Sequence, residues 1–356
     1  MADRAAKLIQ AMGLNEHEAV LVHDPSNMFY LSGYTGEGLV LVAQKVQAIV
    51  TDFRYTEQAE KQAPSFRVEA TGQGRRESGI VAELCATHQI DTIYYEDNYL
   101  TVQGFEILKK NVPGMEWKSL AGAPQKLRQV KDEGELALVR QACRITGDAF
   151  ERMLGCITEG MTEKEIALKL EFDMLTHGAD GIAFSTIVAA GANGSLPHAI
   201  PGDYRIRKGD MITMDFGAKC GGYCADMTRT FALGQPSDEM RRVYDTVYEA
   251  QKRSQAAVMA GKCCEEIDSI ARTYIDQNGY EGRFGHSLGH SLGVDIHENP
   301  RLSQNCRDLL QVNQLVTVEP GIYLPGIGGV RIENTVVVKE GGCEALTLPT
   351  TDLIIL

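Results

Sequence analysis

Apolar and polar positions alternate with two different periods along this chain, and its two halves use them differently. In the first half, Gly38-Leu-Val-Leu-Val-Ala43 and Val46-Gln-Ala-Ile-Val-Thr51 read as short strands around a turn, and Ile90 to Tyr95 as a further strand. Thr56 to Ala63 reads as a helix stopped before Pro64. Pro113-Gly114 and Gly122-Ala-Pro124 punctuate the end of this stretch, and the charged run from Val130 to Arg140 then opens a long helix. We place a domain boundary near 123, with an N-terminal α/β domain over 1–123 that carries no evident catalytic cluster and a second domain over 124–356.

The second half contains a repeat. Gly160, Glu165, Ile166 and Gly178 recur 101 positions later as Gly261, Glu266, Ile267 and Gly279, each set framing a helix. In the first, Thr162 and Glu165 form a capping box. In the second, Ile267, Ile270, Ala271, Tyr274 and Ile275 make a helical apolar stripe stopped at Asn278-Gly279. A strand follows each helix: Met211-Ile-Thr-Met-Asp215, then Leu315-Val-Thr-Val-Glu319. Both read apolar, apolar, Thr, apolar, carboxylate. Each leads through a Gly-containing turn to a returning strand with another acid, Asp226 in the first and Glu333 in the second. The economical reading is a duplicated α/β unit whose halves face each other across a pseudo-twofold axis.

Composition narrows the classes. At 356 residues the chain exceeds one ordinary core, and 44% hydrophobic with 23% charged residues is ordinary for a soluble globular protein. A net charge of −13 argues against nucleic acid or an anionic membrane as partner. The nine cysteines are odd in number, irregular in spacing and without C-x-x-C; Cys220 and Cys224 come nearest to a zinc knuckle, but no second pair follows. The N-terminus lacks an apolar signal core, and no run approaches the ~18 apolar residues of a membrane span. A reduced, cytoplasmic setting is expected.

A carboxylate facing a core at a strand end is costly unless something neutralises it. Taken singly, each acid is ordinarily a solvated strand end or half of a hairpin salt bridge. Four at equivalent places in two repeats place about four negative charges in one pocket, which two divalent cations some 3.5–4 Å apart would balance. Histidines concentrate between Phe284 and His297, at His286, His290 and His297, and His198 follows a loop-like run. Glycines at 285, 289 and 293 argue against a regular helix there, and H-E-x-x-H is absent. An oxygen-rich set with one imidazole nitrogen suits manganese, cobalt or iron(II) better than a structural zinc. The expected cofactor is two divalent cations per chain, Mn2+ first, with Co2+, Fe2+ or Zn2+ as alternatives, and the expected chemistry is hydrolysis at a polarised carbonyl.

These residues closely resemble the pita-bread metallopeptidases, in the branch of aminopeptidase P and prolidase. The matching segments are Ile187-Val-Ala-Ala-Gly-Ala-Asn193 with Pro197-His198, Met214-Asp-Phe-Gly217, Tyr223-Cys-Ala-Asp-Met-Thr-Arg-Thr230, Gly289-His-Ser-Leu-Gly293, Asp295-Ile-His-Glu298, Glu319-Pro-Gly-Ile-Tyr323 and Gly329-Val-Arg-Ile-Glu333. Asn27-Met-Phe-Tyr-Leu-Ser-Gly33 and Thr51-Asp-Phe-Arg-Tyr55 resemble that family's non-catalytic, creatinase-like α/β domain, so the likeness spans essentially the whole chain.

The resemblance implies an α/β fold with a C-terminal pita-bread domain, and a site built as follows. Asp215 chelates one metal, His290 and Glu319 the other, and Asp226 and Glu333 bridge them. Glu319 also assists proton transfer. His198 and His297 orient the substrate and stabilise the oxyanion, His286 lines the pocket with them, and Thr228 and Arg331 hold the carboxylates. Asn334 stands where that family would carry Asp. The implied substrate is a small peptide with proline in second position, cleaved before the proline, and the implied assembly is a homodimer. Arg301 looks like the arginine with which prolidases hold a dipeptide's carboxylate, although a plain surface arginine is an equal alternative; Phe184 is placed beside it as substrate-binding. Prolidase is therefore put first and Xaa-Pro aminopeptidase second. A catalytically silent binding protein and creatinase-like, metal-free amidinohydrolysis are both opposed by the intact ligand set. A kinase reading of Asp215-Phe-Gly217 fails for want of a Gly-rich loop, a strand Lys and a His-Arg-Asp loop.

Overall fold

Six strands form a mixed sheet in the N-terminal unit, and their alternation explains why both faces are covered. The computed structural model describes residues 4–356, and the chain divides into one unit ending at Arg128 and another running from Gln129 to Leu356. The first runs α1 (Arg4–Met12), β1 (Glu18–Val22), α2 (Pro25–Ser32), β2 (Leu39–Ala43), β3 (Gln47–Thr51), α3 (Thr56–Gln62), β4 (Arg67–Ala70), α4 (Glu77–His88), β5 (Thr92–Tyr95), α5 (Val102–Asn111), β6 (Glu116–Ser119) and α6 (Ala123–Arg128). The strand order is β4-β3-β2-β1-β5-β6, with β2 antiparallel to both neighbours and the other pairs parallel. Val20 and Val22 of β1 join Leu8 and Met28 in one core, while Ala19 and Leu21 join Ile80 and Leu84 in the other. This period-two division is what a sheet covered on both faces requires. Buried Glu96 anchors the turn into α2, accepting the main-chain N–H groups of His23 and Asp24 at 2.6 and 2.8 Å and the Asn27 side-chain amide at 2.7 Å.

The strands and helix expected at 38–43, 46–51, 90–95 and 56–63 correspond to β2, β3, β5 and α3. Strands β4 and β6 lie at the edges, are short and half polar, and carry no clean alternation by which to read them. Helix α6 packs with this unit, where Arg128 Nη1 donates to Asn27 Oδ1 at 2.9 Å.

The second unit comprises α7 (Glu133–Leu154), α8 (Glu163–Thr176), β7 (Gly181–Ile182), β8 (Ile187–Ala190), β9 (Met211–Phe216), β10 (Ala218–Cys220), β11 (Tyr223–Cys224), β12 (Met227–Ala232), α9 (Asp238–Ala257), α10 (Cys264–Ile275), β13 (Gly289–Ser291), β14 (Glu298–Leu302), β15 (Leu315–Val318), β16 (Gly321–Leu324), β17 (Gly328–Arg331), β18 (Asn334–Lys339) and β19 (Gly342–Ala345). Helices α8 and α10 sit between the framing glycines of the repeat. Helix α7 opens at Glu133, three residues after the expected start at Val130, because Asp132 is its N-cap. The Asp132 carboxylate accepts the Glu135 N–H and the Glu135 carboxylate accepts the Asp132 N–H, both at 2.9 Å. Thr162 and Glu165 make the same reciprocal pair on α8. Such caps contribute about 1 kcal/mol each.

Two antiparallel pairs carry the repeat: β9 with β12, and β15 with β18. Their registers differ. Asp215 lies opposite Thr228, two residues beyond Asp226, whereas Val318 lies opposite Asn334, so the next step puts Glu319 opposite Glu333. A two-residue offset preserves the face on which side chains emerge, so all four acids still point the same way at matching strand ends. Between the pairs, the glycine-rich histidine segment forms the short strand β13 instead of a helix. Glycine is required at 289, where a Cβ would overlap the Thr317 carbonyl. Among the described residues no helix is long and apolar enough to cross a membrane.

Candidate metal centre

The two hairpins and β13 bring five expected ligands to one end of the second unit. Oxygen atoms of Asp215, Asp226 and Glu333 all lie within 4.8 Å of one another. His290 Nε2 stands 3.5 Å from Asp226 Oδ2 and 3.4 Å from Glu319 Oε1, closing the set from the β13 side. Its Nδ1 donates to the Ser291 carbonyl at 3.1 Å, which leaves the Nε2 lone pair facing the acids. The Glu319 N–H is held by the Leu288 carbonyl at 2.8 Å, and Thr317 Oγ1 donates to Glu319 Oε1 at 3.0 Å while accepting the His290 N–H at 3.0 Å. Thr317 was not singled out from the sequence. Its signal was the threonine that each repeat strand carries two residues before its acid.

A second network holds the acids from behind. Thr228 Oγ1 donates to Glu333 Oε2 at 2.8 Å and accepts from Arg331 Nε at 3.2 Å. Arg331 Nη2 reaches Asp215 Oδ2 at 2.7 Å. Arg331 Nη1 donates to the Tyr323 hydroxyl at 3.0 Å, and that hydroxyl lies 2.8 Å from His286 Nε2. Because His286 Nδ1 must donate to the Ser287 carbonyl at 2.8 Å, its Nε2 accepts from Tyr323. His286 therefore buttresses Arg331 through Tyr323, with both nitrogens engaged, rather than presenting a free nitrogen to a reacting group. Tyr323 escaped the sequence reading because nothing local marks it as the link between these two groups.

Burial and mutual repulsion set the electrostatics. The Asp226 and Glu333 carboxyls are pushed well above the usual range, first by burial and then by neighbouring acids, Glu333 for Asp226 and Glu319 for Glu333. Burial lifts Glu319 to about 7 against the pull of Arg331. Burial takes His290 down to about 3 and His286 to about 4, with His297 and Arg331 respectively adding to the effect, so both imidazoles are neutral. Asp215 Oδ1 and Glu333 Oε1 are buried without a hydrogen-bond partner. A buried carboxylate oxygen with no donor beside it is suited to a cation as its partner. The donor set, all oxygen with one imidazole nitrogen, fits hard divalent cations.

These groups open onto a cavity of about 620 Å³, a size suited to a small ligand. His198, His286 and His297 line it, together with Phe184, Arg301 and Ile200. The His297 ring sits 4.5 Å from that of His290, edge to face. Arg301 is opposite His290 in the β13–β14 pair, so the two side chains share a face of that ribbon. Lys131 Nζ, buried, pairs with Glu298 Oε2 at 3.1 Å and with Ser291 Oγ at 3.1 Å, fixing the turn that carries His297.

Convergent acids, an oriented imidazole and a ligand-sized cavity define a divalent-metal hydrolase. The chain belongs to metallopeptidase family M24, which it matches over residues 137–340, and residues 4–130 match the Creatinase/Prolidase N-terminal domain. The Xaa-Pro dipeptidase of Pyrococcus furiosus is 36% identical, over 99% of this chain and 100% of that protein. The structure of an Xaa-Pro dipeptidase from Bacillus anthracis superposes with a TM-score of 0.95 at 37% identity, covering 99% of each chain. That of an X-Pro aminopeptidase from Thermotoga maritima superposes with a TM-score of 0.92, also at 37% identity, covering 99% of this chain and all of the other. The fold is thus a creatinase-type α/β domain followed by a pita-bread catalytic domain, and the protein is a divalent-metal-dependent peptidase.

Proposed function

We propose that this chain hydrolyses the Xaa-Pro bond at the N-terminus of dipeptides, and less readily of longer peptides. What carries this reading is the convergence of Asp215, Asp226, His290, Glu319 and Glu333 on a cavity whose wall also bears Arg301. Asp215 would hold one cation, His290 and Glu319 the other, with Asp226 and Glu333 shared between them. Two divalent cations, Mn2+ by preference, would supply Lewis acidity toward the scissile carbonyl and lower the pKa of the attacking water. Glu319 takes that water's proton and returns it to the departing proline nitrogen. His198 and His297 present N–H donors to the carbonyl oxygen as it gains charge. The scissile bond is a tertiary amide with no N–H, so recognition falls on the groups around it.

Our preference for a dipeptidase over an aminopeptidase rests on Arg301. Among the described residues its guanidinium forms no ion pair, and it faces the cavity from the same ribbon face as His290. It is therefore available to a carboxylate one residue beyond the scissile bond. The Pyrococcus and Bacillus relatives named as Xaa-Pro dipeptidases favour this reading, and the Thermotoga relative named as an X-Pro aminopeptidase keeps the other in view. The direct test is hydrolysis of an Xaa-Pro dipeptide beside an Xaa-Pro-Yaa tripeptide, with Mn2+ and Co2+ compared. Arg301→Ala is expected to raise KM for the dipeptide roughly tenfold or more and to affect the tripeptide far less. Equal effects on both would remove the case for a dipeptidase.

Metal analysis after loading with Mn2+ or Co2+ is expected to approach two ions per chain, and a value near zero in active protein would refute the dinuclear assignment. A homodimer is expected as well, to be read by sedimentation.

A further inference from the structure

Arg229 heads the largest fully buried side chains of the described residues, in a strand, β12, whose every residue is buried. Its guanidinium is saturated with acceptors. Nε donates to the carbonyls of Thr350 and Pro349 at 3.0 and 3.2 Å, Nη1 to the carbonyls of Thr228 at 2.9 Å and of Glu333, and Nη2 to the Pro349 carbonyl at 2.7 Å and Asn334 Oδ1 at 2.8 Å. All of these acceptors are neutral. Other buried cations of this unit differ, since Arg331 faces Asp215 and Lys131 faces Glu298. Among the described residues no carboxylate lies within ion-pair distance of Arg229. The one side-chain acceptor is an amide and not a carboxylate. Its orientation is fixed, because Asn334 Oδ1 also accepts from Thr347 Oγ1 at 2.9 Å while Nδ2 donates to Gln255 Oε1 at 2.8 Å.

A buried cation without its own counter-ion is costly, and it leans on whatever negative charge lies nearest. Here that charge belongs to Glu333, whose main chain Arg229 grips and whose side chain belongs to the four-acid cluster. The positive charge steadies the Glu333 carboxylate when the acids stand alone. It also opposes any further cation brought among them.

We propose that Arg229 is a positioning residue of the metal centre: it pins the main chain at Glu333, and its uncompensated charge limits how tightly the acids hold their cations. This rests on reading the acids as metal ligands, and the experiment separates the two claims. Metal-free wild-type protein, Asn334→Asp and Asn334→Ala are titrated with Mn2+ by calorimetry, with circular dichroism as the check on folding. Asn334→Asp keeps the acceptor at Nη2 and gives the guanidinium a counter-ion, so Mn2+ affinity is expected to rise roughly tenfold or more, a unit charge acting on a divalent ion across a poorly screened interior. Asn334→Ala removes the acceptor without adding charge and is expected to leave affinity near the wild-type value. Wild-type protein that takes up no Mn2+ would sink the metal reading itself. Wild-type binding with unchanged affinity in Asn334→Asp, or the same change in both variants, would overturn the role of Arg229 alone.

Discussion

Replacing Glu319 with glutamine is expected to cut turnover by roughly 10²–10⁴-fold on an Xaa-Pro dipeptide. The substitution keeps the volume and one oxygen, so the Thr317 hydrogen bond at 3.0 Å and the Leu288 contact that orients the main chain both survive. What disappears is a basic oxygen. In the metal-free fold burial, with Asp215 beside it, lifts the Glu319 carboxyl to about 7 against the pull of Arg331; in the working site the carboxylate form is the one that takes a proton and gives it back within one cycle. The acid also sits 3.4 Å from His290 Nε2, so an amide there presents a poorer ligand and weakens the cation on that side. Measuring kcat, KM and metal content together separates these losses. A full metal complement with kcat down and KM little changed assigns the loss to proton transfer. Near-normal kcat would show that Glu319 neither ligates nor moves a proton.

The site was legible in the sequence because the chemistry was written twice. An acid ending an apolar strand means little once, but Asp215 and Glu319 end strands of the same texture, and Asp226 and Glu333 open their returning partners. Their convergence follows from hairpin geometry, since the last residue of one strand must lie beside the first residues of the next. The two-residue difference in register between the hairpins was not legible, because pairing register depends on the turns and on neighbouring strands rather than on the acids. The same limit hid Tyr323 and Thr317. A tyrosine that connects His286 to Arg331 and a threonine that serves both His290 and Glu319 acquire their roles only when separate strands meet.

In the N-terminal unit, legibility followed burial. Strands β2 and β3 are central and nearly all apolar, so they read clearly, whereas β4 and β6 are edge strands with half their positions polar. The start of α7 shows a different limit. Lys131 is a good helix former and the charged run around it reads as helix, yet the chain enters the helix only after Asp132, whose extended backbone conformation lets its carboxylate cap Glu135. Propensity marked the helix, and the capping side chain chose its first turn.

Metal removal should make the protein's stability fall as pH rises, the reverse of what ion-paired carboxylates produce. In the metal-free fold Asp226, Glu333 and Glu319 are all raised above their ordinary values, by burial first and by neighbouring acids including Asp215, against the pull of Arg331. The folded state therefore binds protons more tightly than the unfolded chain. Its stability from these groups is fully present below about pH 4, where both states are protonated, and is lost as pH climbs through the folded values, about 7 for Glu319. For Glu319, moving from 4.5 to about 7 corresponds to roughly 3 kcal/mol by pH 8, a fall of about 6–12 °C in melting temperature for a domain of this size. Asp226 and Glu333 add in the same direction. Divalent cations bind only the ionised cluster and stabilise in proportion to the logarithm of their excess over Kd, so the gain from Mn2+ should be small near pH 5 and large near pH 8. Thermal melts of chelator-treated protein between pH 5 and 8.5, with and without Mn2+, measure that difference directly. A metal-induced shift that stays constant or shrinks as pH rises would mean that these acids do not share one buried, cation-requiring site.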